Sequence, residues 1–595
     1  MTRPTAPRSN ARDPIVTGRR AAVSGGLAVA AATLAFLVAT GPSLAIVWDE
    51  GFTLGREARV RDWLRAVRDP EAFSARWKPP SPLEELVQPD GRNPPRPAQL
   101  DTRAKLFDQR VIEWFWPFGR EEPHGHPPFY ALVGLTGDVL APGWEPLARA
   151  RLGPMLLFSI TAGALFAFMA GRFGAWAALG SAGAFVLQPR LFAHAHYAHY
   201  DDVLTSLWVG SILAFACAVG PAHGAVPPRR WPKWGWVVLF GLLAGGTAGT
   251  KLTGWFLPLP FATWALLYRD RRAGWTLLVG GAVAGLALYA MTPPWWNHPV
   301  VGVERFLRSN LTRAATTKIP TLFLGRIILT PKDSLPWYNT LVWTAFVTPA
   351  GFLALAVAGL GRSAWRSRVE PFGVLAAGHW AFLLMLRAMP HTPGHDGERQ
   401  FLAAFGCLAV VAGLGAGWAA ETLGRLGKAA VVAAVAEGAV SVALMMPVLL
   451  SYYSPLVGGL PGAARLGMEP TYYWDALTGE ALDWLNAHTP PGEKVLFPTY
   501  PTTWRYLRQS GRLKPGAQYH EPGSWAWYVV QNRPGAFSPE DRWLVARAKP
   551  ADILVARAGI PLVWAFPYAD LERARAANER AANYPLLAPD PPEPE

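Results

Sequence analysis

The chain has 595 residues, 51% of them hydrophobic and 16% charged, with a formal net charge of +14, 28 tryptophans and a mean hydropathy of +0.14. A soluble domain averages about a quarter charged residues, so this composition points to a membrane protein. The positive charge falls mostly in short loops between apolar runs, which makes it an orientation signal and excludes a nucleic-acid footprint. Cys217 and Cys407 both lie inside apolar runs, which excludes a disulfide framework.

Five arginines (Arg3, Arg8, Arg12, Arg19 and Arg20) precede residues 21–47, a run with no charged side chain that is long enough to cross a bilayer. Residues 1–20 are therefore expected as a disordered cytoplasmic tail. The run is too long for the apolar core of a signal peptide. Trp48-Asp49-Glu50 follows at once, so two adjacent carboxylates emerge where the chain leaves the lipid.

Residues 48–151 form a first outer loop rich in proline and charge, with a proline-rich insert at 69–101. Apolar residues recur at helical spacing over 54–67 and 102–119, which predicts two helices lying on the membrane surface. The segment 127–142 is apolar but short and contains Asp138, so it is expected as an interfacial helix. About eleven spans are expected in all: 21–47, 152–171, 173–189, 203–219, 234–250, 252–268, 273–291, 341–361, 371–386, 401–420 and 429–450. With that set every basic cluster falls on one side: Arg172; Arg229, Arg230 and Lys233; Arg269, Arg271 and Arg272; Arg362, Arg366 and Arg368; Arg425 and Lys428.

Three further segments then face outward. They are 190–202 (RLFAHAHYAHYDD), 292–340, which opens on Pro293-Pro294-Trp295-Trp296 and is long enough for a mobile lid, and 387–400 (RAMPHTPGHDGERQ). His, Asp, Glu and Arg gather there, which makes the outer face the active one. Residues 451–595 change character: 481–489 and 571–582 read as helices, 494–497 and 553–555 as strands, and APDPPEPE as a disordered end. A small extracytoplasmic α/β domain is expected.

Asp49-Glu50 after the first span, His126-Pro127-Pro128, Asp201, Lys251-Leu252-Thr253-Gly254 and Arg399 stand in an order and outward placement that resembles a family of membrane glycosyltransferases. The run 452–463 and Tyr472-Tyr473-Trp474-Asp475 add to the likeness, which covers most of 20–490. The family is that of the protein O-mannosyltransferases and aminoarabinose lipid A transferases, of GT-C fold. The resemblance implies a polytopic α-helical membrane protein, GT-C-like, with a catalytic domain over 21–450 and the extracytoplasmic α/β domain over 451–595. It implies a multi-pass enzyme of the plasma (inner) membrane that moves a sugar from a polyprenyl-phosphate donor to a hydroxyl of a protein, lipid or glycan acceptor.

Under that implication Asp49 or Glu50 is the base. Lys251 and Arg399 hold the leaving phosphate, while His126, Asp201 and the Trp295-Trp296 pair orient the sugar. No cofactor is implied, a divalent metal being admissible but not essential. Blander readings stand beside these. Asp49 can simply end a helix, and Asp202 is expected to cap the helix that starts near 203. His194, His196, His199, His391 and His395 read as interfacial or substrate-binding histidines and not as metal ligands. Glu437, inside the last span, reads as a partner for a neighbouring helix. A transporter or a membrane-anchored binding protein are the alternatives, but most spans are free of charge where a transporter would place its ionisable groups.

Overall fold

The computed structural model describes residues 14–77, 80–87, 94–220, 230–316, 319–329, 333–498, 501–519 and 521–583. Arg3, Arg8, Arg12, Arg229, the terminal APDPPEPE and parts of the 69–101 insert lie outside the described residues.

Among the described residues seven helices are long and apolar enough to cross a membrane: 20–43, 146–173, 200–219, 271–291, 371–388, 403–422 and 424–445. All seven fall on expected spans. Two more expected spans are shorter apolar helices, Ala175–Val186 and Trp234–Ala248. The span expected at 252–268 is a 3-10 turn, Leu252–Phe256, followed by Pro258–Tyr268. The one at 341–361 is broken into Asn339–Val347 and Ala350–Trp365. Pro349 explains the break, since proline supplies no N–H to continue the ladder. Glu437 reaches across to repair it, its carboxylate accepting from the backbone N–H of Ala350 at 2.8 Å and Gly351 at 2.7 Å. An anion at a helix N-terminus is favourable, and the chain is a multi-pass helical membrane protein.

Helix 403–422 is the axis of the bundle, with 94% of its apolar window buried. Small residues allow this. A Cβ on Gly359 would come to 2.0 Å from the Val411 carbonyl, and one on Gly415 to 1.9 Å from that of Leu355. Bilayer helices attract one another by such close backbone packing, because lipid offers no hydrophobic drive between them. At one end of the bundle Arg172 and Arg362 both lie over Phe173, and Lys428 lies over Trp176. Residues of three of the five basic clusters read from the sequence, Arg172, Arg362 and Lys428, therefore lie at one end.

Helix Trp48–Arg68 departs from expectation. It is not a surface helix: Phe52, Leu54, Ala58, Val60, Trp63 and Ala66 are buried, as are Arg56 and Glu57. The second amphipathic stretch forms only Ala104–Phe107 and Gln109–Phe115, whose Ile112, Trp114 and Phe115 are buried around Trp63. Both stretches are amphipathic because they pack in the protein, not on lipid. The short helix Phe129–Leu140 buries Tyr130, Ala131, Gly134 and Gly137 on one face and leaves Val139 and Leu140 exposed.

Within 292–340, β1 (Thr321–Phe323) and β2 (Arg326–Ile328) pair antiparallel. The C-terminal region is an α/β unit whose strands β3 (Lys494–Leu496), β4 (Trp525–Gln531), β5 (Asp552–Arg557) and β6 (Ile560–Pro567) lie in the order β3-β4-β6-β5. β3 and β4 are parallel, joined through helix Pro501–Gln509, and the other pairs are antiparallel. The β5–β6 turn has positive φ at Ala558 and Gly559, as a two-residue hairpin turn matched to strand twist requires. Side chains alternate across the sheet. Tyr528, Val530, Trp564 and Phe566 meet Leu544 and Leu571 of the outer helices, while Val529, Val563 and Ala565 continue the main core. The sheet is thus welded to the bundle.

Candidate functional site

Glu50 and Asp49 begin the same helical turn but point to different partners. Glu50 is fully buried and caps its own helix by accepting from the Val47 N–H at 3.1 Å. Arg151, from helix 146–173, grips it with two hydrogen bonds of 2.8 and 2.7 Å, and the Ala198 N–H adds a third donor. The same guanidinium satisfies the carbonyls of Gly41, Leu44 and Ala45 at the end of the first span. Both oxygens of Glu50 are thus taken, and the pair fixes where the helix leaves the membrane.

Asp49 keeps one oxygen unused. Its Oδ2 accepts from Arg399, Tyr200 and Tyr473, each at 2.8 Å, and every hydrogen bond to the carboxylate among the described residues falls on that atom. Its side chain is 18% exposed, whereas that of Arg399 is 4% exposed. Burial works to raise the Asp49 carboxyl, but the charge of Arg399 and the two phenols outweigh it and hold the group well below the usual carboxylate range.

The other expected residues converge here. Lys251 Nζ donates to Asp201 Oδ1 at 2.8 Å and to Gln400 at 3.3 Å. Arg399 Nε lies 3.5 Å from the second oxygen of Asp201. His126 stacks on Tyr200 with ring centroids 4.0 Å apart, and its Nε2 is 3.3 Å from Arg313. Burial, then Arg313 and Lys251, push its imidazole well below the usual histidine range, which leaves it neutral. Five residues spread over 350 positions of sequence thus share one network.

Two expectations fail. Trp295 is 2% exposed, with its indole N–H bonded to the Gly119 carbonyl at 2.9 Å and its ring against Trp255, Phe306 and Gly302. No face is left for a sugar, since a tryptophan after Pro-Pro found a dry pocket to fill; Trp296 likewise bonds the Tyr289 carbonyl and packs on Trp63 and Phe107. Asp202 is not the cap. His199 takes that place, its Nδ1 accepting from the Asp201 N–H at 2.9 Å, while Asp202 is fully buried inside the helix. The other histidines are engaged too. His194 pairs with His199 at 3.0 Å, and His196 bonds Thr40 and the Phe192 carbonyl, each at 2.8 Å. Among the described residues no three His, Cys, Asp or Glu side chains group as metal ligands.

Beside this network opens a cavity of about 310 Å³, large enough for a small headgroup. Lys251, Arg313 and Arg387 line it with His126, His391 and His395, and no carboxylate is in its wall among the described residues. Leu252, Phe256, Leu383, Leu386 and Phe401 supply an apolar side. Arg387 gives one hydrogen bond to Thr392 at 3.0 Å, while its Nε and other terminal nitrogen find no partner among the described residues. A buried cation with free donors favours an anion. A larger cleft of about 810 Å³, between Arg59, Trp114, Trp504 and Arg508, is lined by Glu84, Glu85 and Glu521 as well. Its charges offset one another, so the smaller cavity is the better fit for an anion.

Arg151, Tyr200, Tyr473, Arg313 and Arg387 were missed as site residues. Tyr200 and Arg387 fell inside the outer segments 190–202 and 387–400, and Tyr473 in the run Tyr472-Tyr473-Trp474-Asp475, but none of the three was singled out.

No family model matches the chain, and no curated protein does. Among solved structures it is similar to ArnT from Cupriavidus metallidurans bound to undecaprenyl phosphate, at 16% identity and a TM-score of 0.44, over 91% of this chain and 98% of that one. The apo oligosaccharyltransferase of Archaeoglobus fulgidus is similar over 88% of this chain and 70% of its own, at 11% identity and a TM-score of 0.44.

Proposed function

We propose that this protein is a membrane glycosyltransferase that moves a sugar from a polyprenyl-phosphate carrier to an acceptor hydroxyl on the outer face of the plasma membrane. One observation carries the reading: a cavity with three cations, three imidazoles and no carboxylate in its described wall, apolar on one side, that shares Lys251 and His126 with the network in which Asp49 keeps a free oxygen. A phosphate on an isoprenoid tail matches both halves of that lining.

Arg387 and Lys251 meet the phosphate, and Arg399 stands behind Lys251, 3.5 Å from the Asp201 carboxylate that both share. The acceptor hydroxyl attacks the anomeric carbon, the bond from that carbon to the phosphate oxygen breaks, and the phosphate leaves on its lipid. Asp49 Oδ1 takes the hydroxyl proton. As held by Arg399 and two phenols, Asp49 is a weak base. A phosphate that draws on Arg399 relieves part of that hold and restores basicity when the donor is in place. The leaving group is already anionic, so cations suffice to stabilise it and a metal is not essential. Asp201 orients Lys251, and Glu50 with Arg151 fixes the helix that carries Asp49.

Equilibrium binding tests the reading. Purified protein should bind a polyprenyl monophosphate, and inorganic phosphate should compete weakly. Binding of nucleotide sugars with no binding of the lipid phosphate would overturn it.

A further inference from the structure

The C-terminal domain reaches the site through a residue that the chemistry above leaves unused. Arg533, in the loop after β4, is 4% exposed and lies over Trp474 with its guanidinium 5.3 Å from the ring centre. One terminal nitrogen is 3.1 Å from Asp396 Oδ1, and its Nε is 3.4 Å from Glu469 Oε2. The second oxygen of Asp396 is 3.5 Å from Arg399, whose other terminal nitrogen holds Asp49 at 2.8 Å. Acidic and basic side chains thus alternate in a row, all buried except the partly exposed Asp49: Glu469, Arg533, Asp396, Arg399, Asp49.

The row is not equally firm along its length. Arg399 and Asp49 share a true hydrogen bond. Arg533 Nε, its terminal nitrogen facing Asp396 and Asp396 Oδ1 have no hydrogen-bond partner among the described residues, so charge alone holds that end. Asp396 also sits in the left-handed region at φ 59°, a conformation unusual outside glycine, asparagine and aspartate. That backbone places its carboxylate between two arginines from different parts of the chain.

Attraction between buried charges is strong, and a stranded one seeks the nearest opposite charge. Without Arg533, Asp396 would be left with Arg399 as its near cation and would draw it from Asp49 and the phosphate. We infer that Arg533 is a positioning residue, through which the C-terminal domain sets how Arg399 is shared between Asp396 and the Asp49 side of the site. This rests on the reading of the cavity as a lipid-phosphate site.

The experiment measures polyprenyl monophosphate affinity and melting temperature for Arg533→Met, Arg533→Lys and the double variant Asp396→Asn/Arg533→Met. Arg533→Met should bind ~10-fold more weakly, the scale of coupling within one charged network. Arg533→Lys should recover most of that loss, and the double variant should return to within about twofold of the parent, because removing Asp396 removes the competitor. Deleting both partners of a buried pair also restores stability, so affinity is read well below each variant's melting temperature, where a purely structural role for Arg533 leaves binding by folded Arg533→Met unchanged. Arg533→Met within twofold of the parent overturns the inference, as does a double variant that melts like the parent and still binds ~10-fold more weakly. Should Arg533→Met fail to fold, the double variant carries the test alone, with parental affinity supporting the inference and that loss overturning it. A parent protein that binds no polyprenyl monophosphate overturns this inference and the reading beneath it together.

Discussion

Adjacent carboxylates with separate duties make a sharp test. Glu50→Gln removes one charge of a pair whose side chains are 0% and 3% exposed, and Arg151 has no other carboxylate in contact among the described residues. The amide keeps one acceptor for two guanidinium donors and leaves the positive charge uncompensated. Breaking such a buried pair costs about 3–5 kcal/mol. Asp49→Asn differs, because Arg399 retains Asp201 and Asp396, each at 3.5 Å, and the amide oxygen still accepts from both tyrosines. Its cost is about 1–2 kcal/mol, but it has no proton acceptor, and loss of a general base slows transfer ~10²–10⁴-fold. Melting in detergent and single-turnover transfer should therefore separate the two: Glu50→Gln melts early, while Asp49→Asn melts near the parent and hardly turns over. Near-parental turnover by Asp49→Asn, or a stable but inactive Glu50→Gln, would refute the division and move the base to Glu50.

Arg387→Met should weaken polyprenyl monophosphate binding about tenfold or more, the worth of hydrogen bonds to a charged group, without lowering the melting temperature; titration and melting curves check both. Burial pushes the Asp475 carboxyl from 3.8 up to about 7, the Leu450 N–H and Arg190 opposing only in part. Its folded value is raised, so its contribution to stability is whole below about pH 4 and is lost as pH rises through 7. Asp475→Asn should raise the melting temperature at pH 8 and flatten its decline between pH 4 and 8, and an unchanged pH profile would count against this. Glu572→Cys, on the exposed face of helix Tyr568–Asn583, should react with an impermeant maleimide only from outside the cell. Labelling from the cytoplasmic side alone would reverse the topology.

The spans were legible in the sequence because a bilayer demands apolar runs of fixed length, and that demand is local. So were Asp49, Asp201, Lys251 and Arg399, since charges at span ends stand out against lipid. Helix 48–68 was misplaced because one apolar stripe fits a membrane surface and a protein interior alike. Trp295 misled for a related reason: an aromatic in an outer loop can face a sugar or a glycine-lined pocket, and only packing decides. Arg151 was invisible because its partner lies 101 positions away. Arg387 reads as a span-end arginine, and its lack of a counter-charge among the described residues appears only once the wall around it is assembled. Strands β4 and β6 were missed since both faces of each are covered, which blurs the alternation that marks a strand.

The central claim is the donor, and one assay addresses it most directly. Purified protein is offered a sugar on polyprenyl phosphate and, separately, the same sugar on a nucleotide, with and without chelator, and donor consumption is followed. Consumption of the lipid donor that survives chelation, with the nucleotide sugar untouched, is the predicted result. Turnover of the nucleotide sugar and none of any polyprenyl-phosphate sugar would contradict it.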